Sequence, residues 1–169
     1  MNKGEALRIA HMTDVHVQPE RGAGAGLAQA LAHMRALERP PQLLLTGGDA
    51  VMNATGESEA RVATQWQTWH GALTAVDFAE VFHCLGNHDA MSWHADDGIA
   101  LEHKRRAMTE LAMPGRYYSF ARAGWHFIML DSCQPLAGGY TANLDAEQWQ
   151  WLEAELEAAK DRHVLIVSH

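Results

Sequence analysis

The stretch Leu43-Leu44-Leu45-Thr46-Gly47-Gly48-Asp49 decides the fold of this chain. A short run of apolar and β-branched residues is typical of a strand that is buried on both faces of a sheet. Two glycines then permit a tight turn, and a carboxylate follows where the strand has ended. The stretch therefore predicts an α/β protein that places a polar side chain at the end of a buried strand.

Three more apolar runs end in polar residues in the same way. Residues 7–13 lead into Asp14-Val15-His16, residues 81–85 lead into Gly86-Asn87-His88-Asp89, and residues 163–168 lead into His169. Open α/β sheets bind ligands beyond the carboxyl ends of their strands. The aspartates, histidines and asparagine are therefore expected to meet in one crevice, although they are scattered along the chain.

Apolar residues at helical spacing separate these strands. They predict helices from Leu27 to Leu37, from Val62 to Val76 and over residues 99–111, and a last helix that carries Trp149, Leu152, Leu156 and Ala159. The last helix follows Asp145 and Gln148, whose spacing resembles a capping box.

A hairpin is predicted over residues 117–121 and 125–131 around a glycine turn, and the segment with Gly138-Gly139 is predicted to be a loop. The order of elements favours one mixed α/β domain over residues 1–169, whose first three strands are parallel.

Composition narrows the class of protein. A length of 169 residues with 47% hydrophobic and 20% charged residues suits one globular domain. The net charge is -8, and no basic block exceeds Lys104-Arg105-Arg106, so neither nucleic acid nor a membrane is expected as a partner. The two cysteines form no Cys-x-x-Cys pair, and no apolar leader precedes the first strand, which predicts a cytoplasmic location.

The polar residues at the strand ends have the chemistry of metal ligands. Aspartate, histidine and asparagine together suit Mn, Fe, Zn or Co better than Ca or Mg, which prefer oxygen ligands alone. Asp49 could bridge two such ions, which would activate a water for attack on phosphorus. If Asn87 is a ligand, His88 is expected to lie just outside the ligand shell, where it can protonate the departing oxygen.

In their order these motifs resemble the calcineurin-like metallophosphoesterase superfamily. The resemblance implies a mixed β-sheet sandwich flanked by helices, which hydrolyses phosphate mono- or diesters with two divalent or trivalent metal ions. It also implies roles for the residues at the matching positions: Asp14 and His16 on the first metal, Asp49 as the bridge, Asn87 and His169 on the second metal, and His88 as the catalytic histidine. The segment from Pro114 to Ser132 also resembles bacterial members of the purple acid phosphatase-like and cyclic-nucleotide-phosphodiesterase-like branch.

Two departures from the family pattern bear on activity. The chain ends at His169, before a Gly-His-x-His element, so the domain is expected to be truncated at its C-terminus and each metal to lack one protein ligand. The family's Gly-Asp-x-x-Asp becomes Asp49-Ala50-Val51-Met52 here, which leaves Asn53 or Asp89 as the residue expected to orient His88. Asp89 is therefore included with His88 among the catalytic residues.

Two functions follow from these observations. The first is hydrolysis of a small-molecule phosphoester. The alternative is a truncated, catalytically impaired relative that acts as an oligomeric or metal-binding protein. An uncovered sheet edge would favour a homo-oligomer in either case.

Several other residues near the predicted site have an ordinary structural explanation beside a functional one. His94, Arg105 and Arg106 could meet a substrate phosphate, or they could belong to a solvated surface. Trp93 and Tyr140 could stack on a base or a phenyl group, or they could simply pack. Histidines within strands are read as structural, and Cys84 as an inert core residue.

Overall fold

The computed structural model of the chain describes residues 6–76, 78, 80–93 and 97–169. The helices in these ranges are α1 (Ala23–Arg35), α2 (Glu59–Thr74), α3 (Asp97–Glu110) and α4 (Ala146–Ala158). The strands are β1 (Ile9–Met12), β2 (Leu43–Thr46), β3 (Val81–His83), β4 (Tyr118–Arg122), β5 (Trp125–Met129), β6 (Cys133–Leu136), β7 (Gly139–Ala142) and β8 (His163–Val167). None of the described helices is both long and apolar enough to cross a membrane.

The first sheet is parallel and has the order β1-β2-β3. Ile9 is paired with Leu43, and Leu44 with Val81, so all three strands end at the same edge. The helices between them supply the crossovers that parallel strands need. The predicted parallel arrangement is confirmed, and it places the loops after β1, β2 and β3 side by side.

The second sheet has the order β4-β5-β8. Strands β4 and β5 form the predicted hairpin, and β8 then pairs with β5 in parallel, with Met129 opposite Val167. The residue that follows β8 therefore lies near the end of β5. His169 reaches the first sheet from this side.

The two sheets pack face to face because residues of β2 alternate between two cores. Leu43 and Leu45 pack with Phe127 and Met129 of β5 between the sheets. Leu44 points the other way, into a core with residues of α1, α2 and the last turn of α3. The outer face of the second sheet is covered by α4. The predicted class, a mixed β-sheet sandwich flanked by helices, is confirmed.

Strands β6 and β7 form an antiparallel hairpin where the sequence predicts only a loop. Leu136 pairs with Gly139, so Ala137 and Gly138 make a two-residue turn, and Gly138 adopts a φ of 85° that suits glycine. Pro135 lies within β6, although proline is unfavourable in a strand because it has no N–H to donate. It is tolerated here because each strand of a two-stranded ribbon has one edge without ladder hydrogen bonds.

Helix α4 differs from its predicted pattern in two respects. Leu152 and Ala159 are buried, but Trp149 is 50% exposed and Leu156 38% exposed, so only part of the apolar stripe faces the sheet. Asp145 caps the helix by accepting a hydrogen bond from the Gln148 backbone at 2.9 Å. In a full capping box the Gln148 side chain would bind the backbone N–H of Asp145 in return. Here it binds the backbone of Asp131 instead.

Candidate metal centre

The loops after β1 and β2 run side by side at the edge of the first sheet. The backbone N–H of Asp14 donates to the Gly48 carbonyl at 3.2 Å, and that of His16 donates to the Asp49 carbonyl at 3.0 Å. Val17 and Val51 then form a short parallel bridge. The two loops therefore extend the strand pairing beyond the strands, and they bring their polar side chains together.

Three of the predicted ligands adopt the left-handed backbone conformation. The φ angles of Asp14, His16 and Asp49 are 54°, 50° and 53°. This region is unfavourable for residues with a Cβ, by about 1–2 kcal/mol each. Such conformations persist where the surrounding structure enforces them, and they cluster at functional sites. Here the inter-loop hydrogen bonds supply that enforcement.

Two glycines let the β2 and β3 loops touch. Gly48 has a φ of 94°, and a Cβ there would lie 2.7 Å from the backbone of Gly86 and 2.8 Å from the His169 ring. A Cβ on Gly86 would overlap the side chain and backbone nitrogen of Asp49. The glycines of the predicted motifs thus serve the close approach of two backbones.

Asp89 lies beneath this contact and is 2% exposed. Its carboxylate accepts hydrogen bonds from the backbone N–H groups of Asp49, Ala50 and Gly86 at 2.8 to 3.0 Å, with that of Val51 farther away at 3.4 Å. Burial raises the pKa of Asp89 to about 6, although the backbone hydrogen bonds oppose this rise. The residue ties the β2 loop to the β3 loop, and its carboxylate is occupied by backbone groups.

Asp49 is at the centre of the cluster, and each of its oxygens has a separate environment. Oδ1 accepts a hydrogen bond from the backbone N–H of His88 at 2.8 Å. Oδ2 lies 3.6 Å from His16 Nε2 and 3.4 Å from His169 Nε2. The carboxylate is therefore fixed on one side and faces two imidazoles on the other.

Two groups of candidate ligands share Asp49. His16, Asp49 and His88 form one group, and Asp14, Asp49 and His169 form the other, each with ligand atoms within 4.8 Å of one another. The grouping differs from the family assignment, which pairs Asp14 with His16 and leaves His88 outside the ligand shell. His16 Nε2 is nevertheless only 3.9 Å from Asp14. One carboxylate between two groups is the arrangement that a bridging ligand requires.

Asp49 and His169 stabilise each other's charged forms, with His169 Nε2 lying 3.4 Å from Asp49 Oδ2. Burial disfavours the charged form of Asp49, but hydrogen bonds from the His169 ring and the His88 backbone hold its pKa below the usual value. The hydrogen bond to Asp49 raises the pKa of His169 to about 9, against the effect of burial.

Hydrogen bonds hold both the ring and the backbone of His169. Nδ1–H donates to the Gly47 carbonyl at 2.8 Å, and Nε2 lies 3.0 Å from Asn87 Oδ1. The carbonyl of His169 accepts a hydrogen bond from Ser132 at 2.7 Å. Nε2 therefore faces Asp49 and Asn87, as a ligand on their side of the cluster must.

His88 is oriented by a backbone carbonyl rather than by a carboxylate. Its Nδ1–H donates to the Met52 carbonyl at 2.7 Å. The two residues that the sequence suggests for this role are engaged elsewhere, because Asn53 bonds to the backbone of Thr55 and Asp89 binds the loop amides. Met52 occupies the sequence position where the family has its second aspartate, but a backbone carbonyl has no signal in a sequence.

Trp93 supports Asn87 from below and is only 3% exposed. Its indole N–H donates to the Asn87 carbonyl at 2.9 Å, and Lys104 lies 5.4 Å from the indole centroid. Tyr140 packs against the indole at 5.5 Å and is 48% exposed. Of the two aromatic residues considered for stacking on a substrate, Trp93 is thus a core residue, and Tyr140 presents a ring to a cleft of about 450 Å³.

The basic residues proposed to meet a phosphate have carboxylate partners. Arg106 pairs with Glu59 at 2.9 Å, and Arg105 lies 3.9 Å from Glu102. His94 lies outside the described residues. Cys84 is buried, as predicted, and burial raises the pKa of its thiol to about 12.

Comparison with known proteins agrees with this geometry. A family model described as calcineurin-like phosphoesterase matches residues 7–169. The chain is also 30% identical, over 177 aligned positions, to a 3′,5′-cyclic-nucleotide phosphodiesterase of Nostoc sp. (strain PCC 7120). The alignment covers 100% of this chain and 58% of that relative, so the chain spans a little over half of the relative's length. The chain belongs to the calcineurin-like phosphoesterase family.

Proposed function

We propose that this chain carries the catalytic centre of a metal-dependent phosphoesterase, which hydrolyses small-molecule phosphate mono- or diesters at a dinuclear site with water as the nucleophile. The observation that carries the proposal is the position of Asp49, which belongs to both groups of candidate ligands. Family membership supports phosphoester hydrolysis in general.

The residues of the cluster fit two transition-metal ions. Asp14, His16, Asp49, Asn87 and His169 offer carboxylate, imidazole and amide donors, a mixture that suits Mn, Fe, Zn or Co. Gly47 and Met52 supply carbonyls that hold the Nδ1 side of His169 and His88. When bound, such ions lower the pKa of a water from about 15.7 to about 7 and polarise a phosphoryl oxygen.

The chain's own residues provide the remaining steps. The His88 N–H fixes Oδ1 of Asp49, so Oδ2 stays turned toward His16 and His169. The His88 ring is held by Met52 through Nδ1, which leaves Nε2 free to face a substrate. In its protonated form, His88 gives the Nε2 proton to the departing oxygen as the P–O bond breaks. His88 is therefore the proposed general acid, and Asp89 supports the loops from below.

The class of substrate follows from the relative. That protein is named as a phosphodiesterase of 3′,5′-cyclic nucleotides. We therefore propose cyclic nucleotides as the first natural diesters to test. The exposed ring of Tyr140 lines a cleft beside the Asn87 loop and could stack on the base of such a substrate.

The experiment combines hydrolysis with metal content. Purified chain with added Mn is assayed on para-nitrophenyl phosphate, its bis ester and a 3′,5′-cyclic nucleotide, alongside Asn87→Ala and His88→Ala. His33→Ala is the matched control, since His33 lies in the last turn of α1, at the opposite end of the sheet. We expect about two metal ions per chain by elemental analysis, with activity strongly lowered, but still measurable for His88→Ala, in the first two variants only.

Equal rates in the wild type and His88→Ala would overturn the enzymatic proposal. Bound metal without hydrolysis would favour the alternative of a metal-binding relative. The homo-oligomer and the cytoplasmic location stay predictions, and sedimentation at micromolar concentration tests the first of them.

A further inference from the structure

Gln65 is a buried polar residue in the middle of α2, among the apolar side chains of the helical core. It is 1% exposed, and Val62, Trp66 and Trp69 of the same helix are buried around it. A buried amide without partners would cost several kcal/mol. Gln65 satisfies this need by binding the backbone of the β2 loop.

Both ends of the Gln65 amide bind one residue. Oε1 accepts a hydrogen bond from the Asn53 N–H at 3.0 Å, and Nε2 donates to the Asn53 carbonyl at 2.8 Å. Together the two bonds fix where the Asn53 backbone lies and the directions in which its N–H and C=O groups point. The loop is held from the helix side at this point.

The Asn53 N–H belongs to the same peptide group as the Met52 carbonyl. A peptide group is planar, and in the trans form its N–H and C=O point in opposite directions. By holding the N–H on the helix side, Gln65 turns the Met52 oxygen toward the site. That oxygen lies 2.7 Å from Nδ1 of His88 and 3.4 Å from Nδ1 of His16.

We infer that Gln65 is a positioning residue for the proposed reaction, which aims the Met52 carbonyl so that His88 keeps its proton on Nδ1 and its Nε2 toward the substrate. The inference rests on the proposed function. Within the described part of the chain, the hydrogen bonds of the Gln65 side chain go to the Asn53 backbone, so it acts on His88 through one peptide group. The Met52 carbonyl, aimed by Gln65, takes the place of the aspartate side chain that the family pattern puts at the Met52 position.

The chain offers a matched control in Gln148. This residue is also buried, and its amide binds the N–H and the carbonyl of Asp131, each at 2.8 Å. It supports the end of β5 and has no bond to the β2 loop. Gln65→Met and Gln148→Met therefore remove equivalent buried clamps, but only the first one lies behind His88.

The first measurement is the tautomer of the His88 ring in metal-free protein, by ¹⁵N NMR, with the signals assigned through His88→Ala. We expect the wild type and Gln148→Met to hold the Nδ1–H form and Gln65→Met to show a mixture. Gln65→Glu keeps an acceptor for the Asn53 N–H and should retain the wild-type form. Unchanged His88 signals in folded Gln65→Met would overturn the inference, whether or not the protein hydrolyses anything.

The second measurement is a double-mutant cycle on hydrolysis. Loss of an outer-shell partner typically lowers activity by about 10–100-fold. We expect such a loss in kcat for Gln65→Met, larger on a phenyl ester than on a para-nitrophenyl ester, because the poorer leaving group depends more on the proton. In the His88→Ala background, Gln65→Met should then have little further effect.

An equal loss from Gln65→Met in both backgrounds would show a general structural role and overturn the inference. Failure of the wild type to hydrolyse any of the esters would instead contradict the proposed function, and the NMR measurement would still decide the role of Gln65.

Discussion

The two sheets contribute to the candidate site in different ways. Every polar residue of the cluster except His169 follows a strand of the first sheet. These residues are fixed by hydrogen bonds between neighbouring loops, by left-handed backbone at three positions and by the buried Asp89. His169 comes from the second sheet, and its position depends on the packing of the two sheets as well as on its bonds to Gly47 and Ser132. The first sheet therefore builds the site, and the second closes it.

The largest effect is expected at the residue that joins the two ligand groups. Asp49→Ala should abolish binding of both ions and lower hydrolysis by at least about 10³-fold, which corresponds to roughly 4 kcal/mol. Metal content and kcat/KM measure this effect. Asp161→Ala is the control, since Asp161 is exposed at the far end of β8. An Asp49→Ala protein that still binds two ions would show that Asp49 does not bridge them.

Loss of the buried carboxylate should destabilise the first sheet's loops. Asp89→Ala leaves backbone N–H groups of Asp49, Ala50 and Gly86 without their acceptor, and each buried unsatisfied group costs about 1–3 kcal/mol. We expect a loss of roughly 3–5 kcal/mol in the free energy of unfolding, measured in urea. Asp89→Asn keeps one acceptor oxygen and should lose less. Equal stability of the alanine variant and the wild type would contradict the loop-tying role.

His83, at the end of β3 in the first sheet, should make the free energy of unfolding depend on pH. Its Nδ1 lies 2.7 Å from the Thr46 hydroxyl, and burial lowers the pKa of His83 to about 4. The unfolded chain, with a histidine pKa of about 6.5, binds more protons at this site between these values, so the contribution of His83 to stability falls as the pH is lowered from about 6.5 to 4. The loss amounts to about 3 kcal/mol. The raised pKa of Asp89 acts in the opposite direction over the same range, so the effect is measured as a difference between variants.

His83→Gln should remove this contribution, so the stability of the variant relative to the wild type should rise as the pH is lowered from 6.5 to 4, which urea unfolding at several pH values measures. His126→Gln is the control in the second sheet, where the histidine pairs with Glu155. A difference in stability between His83→Gln and the wild type that stays constant from pH 6.5 to 4 would refute the expected link.

The smallest effect is expected from the residue that the second sheet supplies. His169→Ala should weaken binding of the ion that His169 would share with Asp14 by at least about 10-fold, since loss of even an outer-shell partner costs about 10–100-fold. His16 and Asp49 keep their donor atoms for the other ion. A metal titration should therefore show one weakened site and one that is nearly unchanged. His163→Ala, at the start of the same strand, is the control. Weakening of both sites to the same extent would mean that the two sheets contribute alike.

The sequence predicted most of the first sheet because its signals are local. Apolar runs such as residues 43–46, followed by glycine and a carboxylate, report both a buried strand and the polar loop after it. An apolar run likewise predicted the strand before His169, and a glycine turn predicted the hairpin of β4 and β5. The class of fold followed from the order of the elements.

Other features depend on contacts that a pattern does not contain. The β6–β7 hairpin includes Pro135, which argues against a strand, and its pairing became clear only in three dimensions. The orientation of His88 depends on a backbone carbonyl, which every residue has. The role of Asp89 beneath the loops follows from its burial, since its motif is equally compatible with an exposed catalytic carboxylate. Half of the apolar stripe on α4 is exposed because the second sheet covers only part of the helix.

The contact between Gly48 and Gly86 has a consequence for evolution at this site. Neither position has room for a methyl group, and each is occupied by the backbone or side chain of the opposite loop. A single substitution at one position is not offset by any change at the other, because glycine is already the smallest residue. This pair of loops should therefore be inherited as one unit, with glycine kept at both positions.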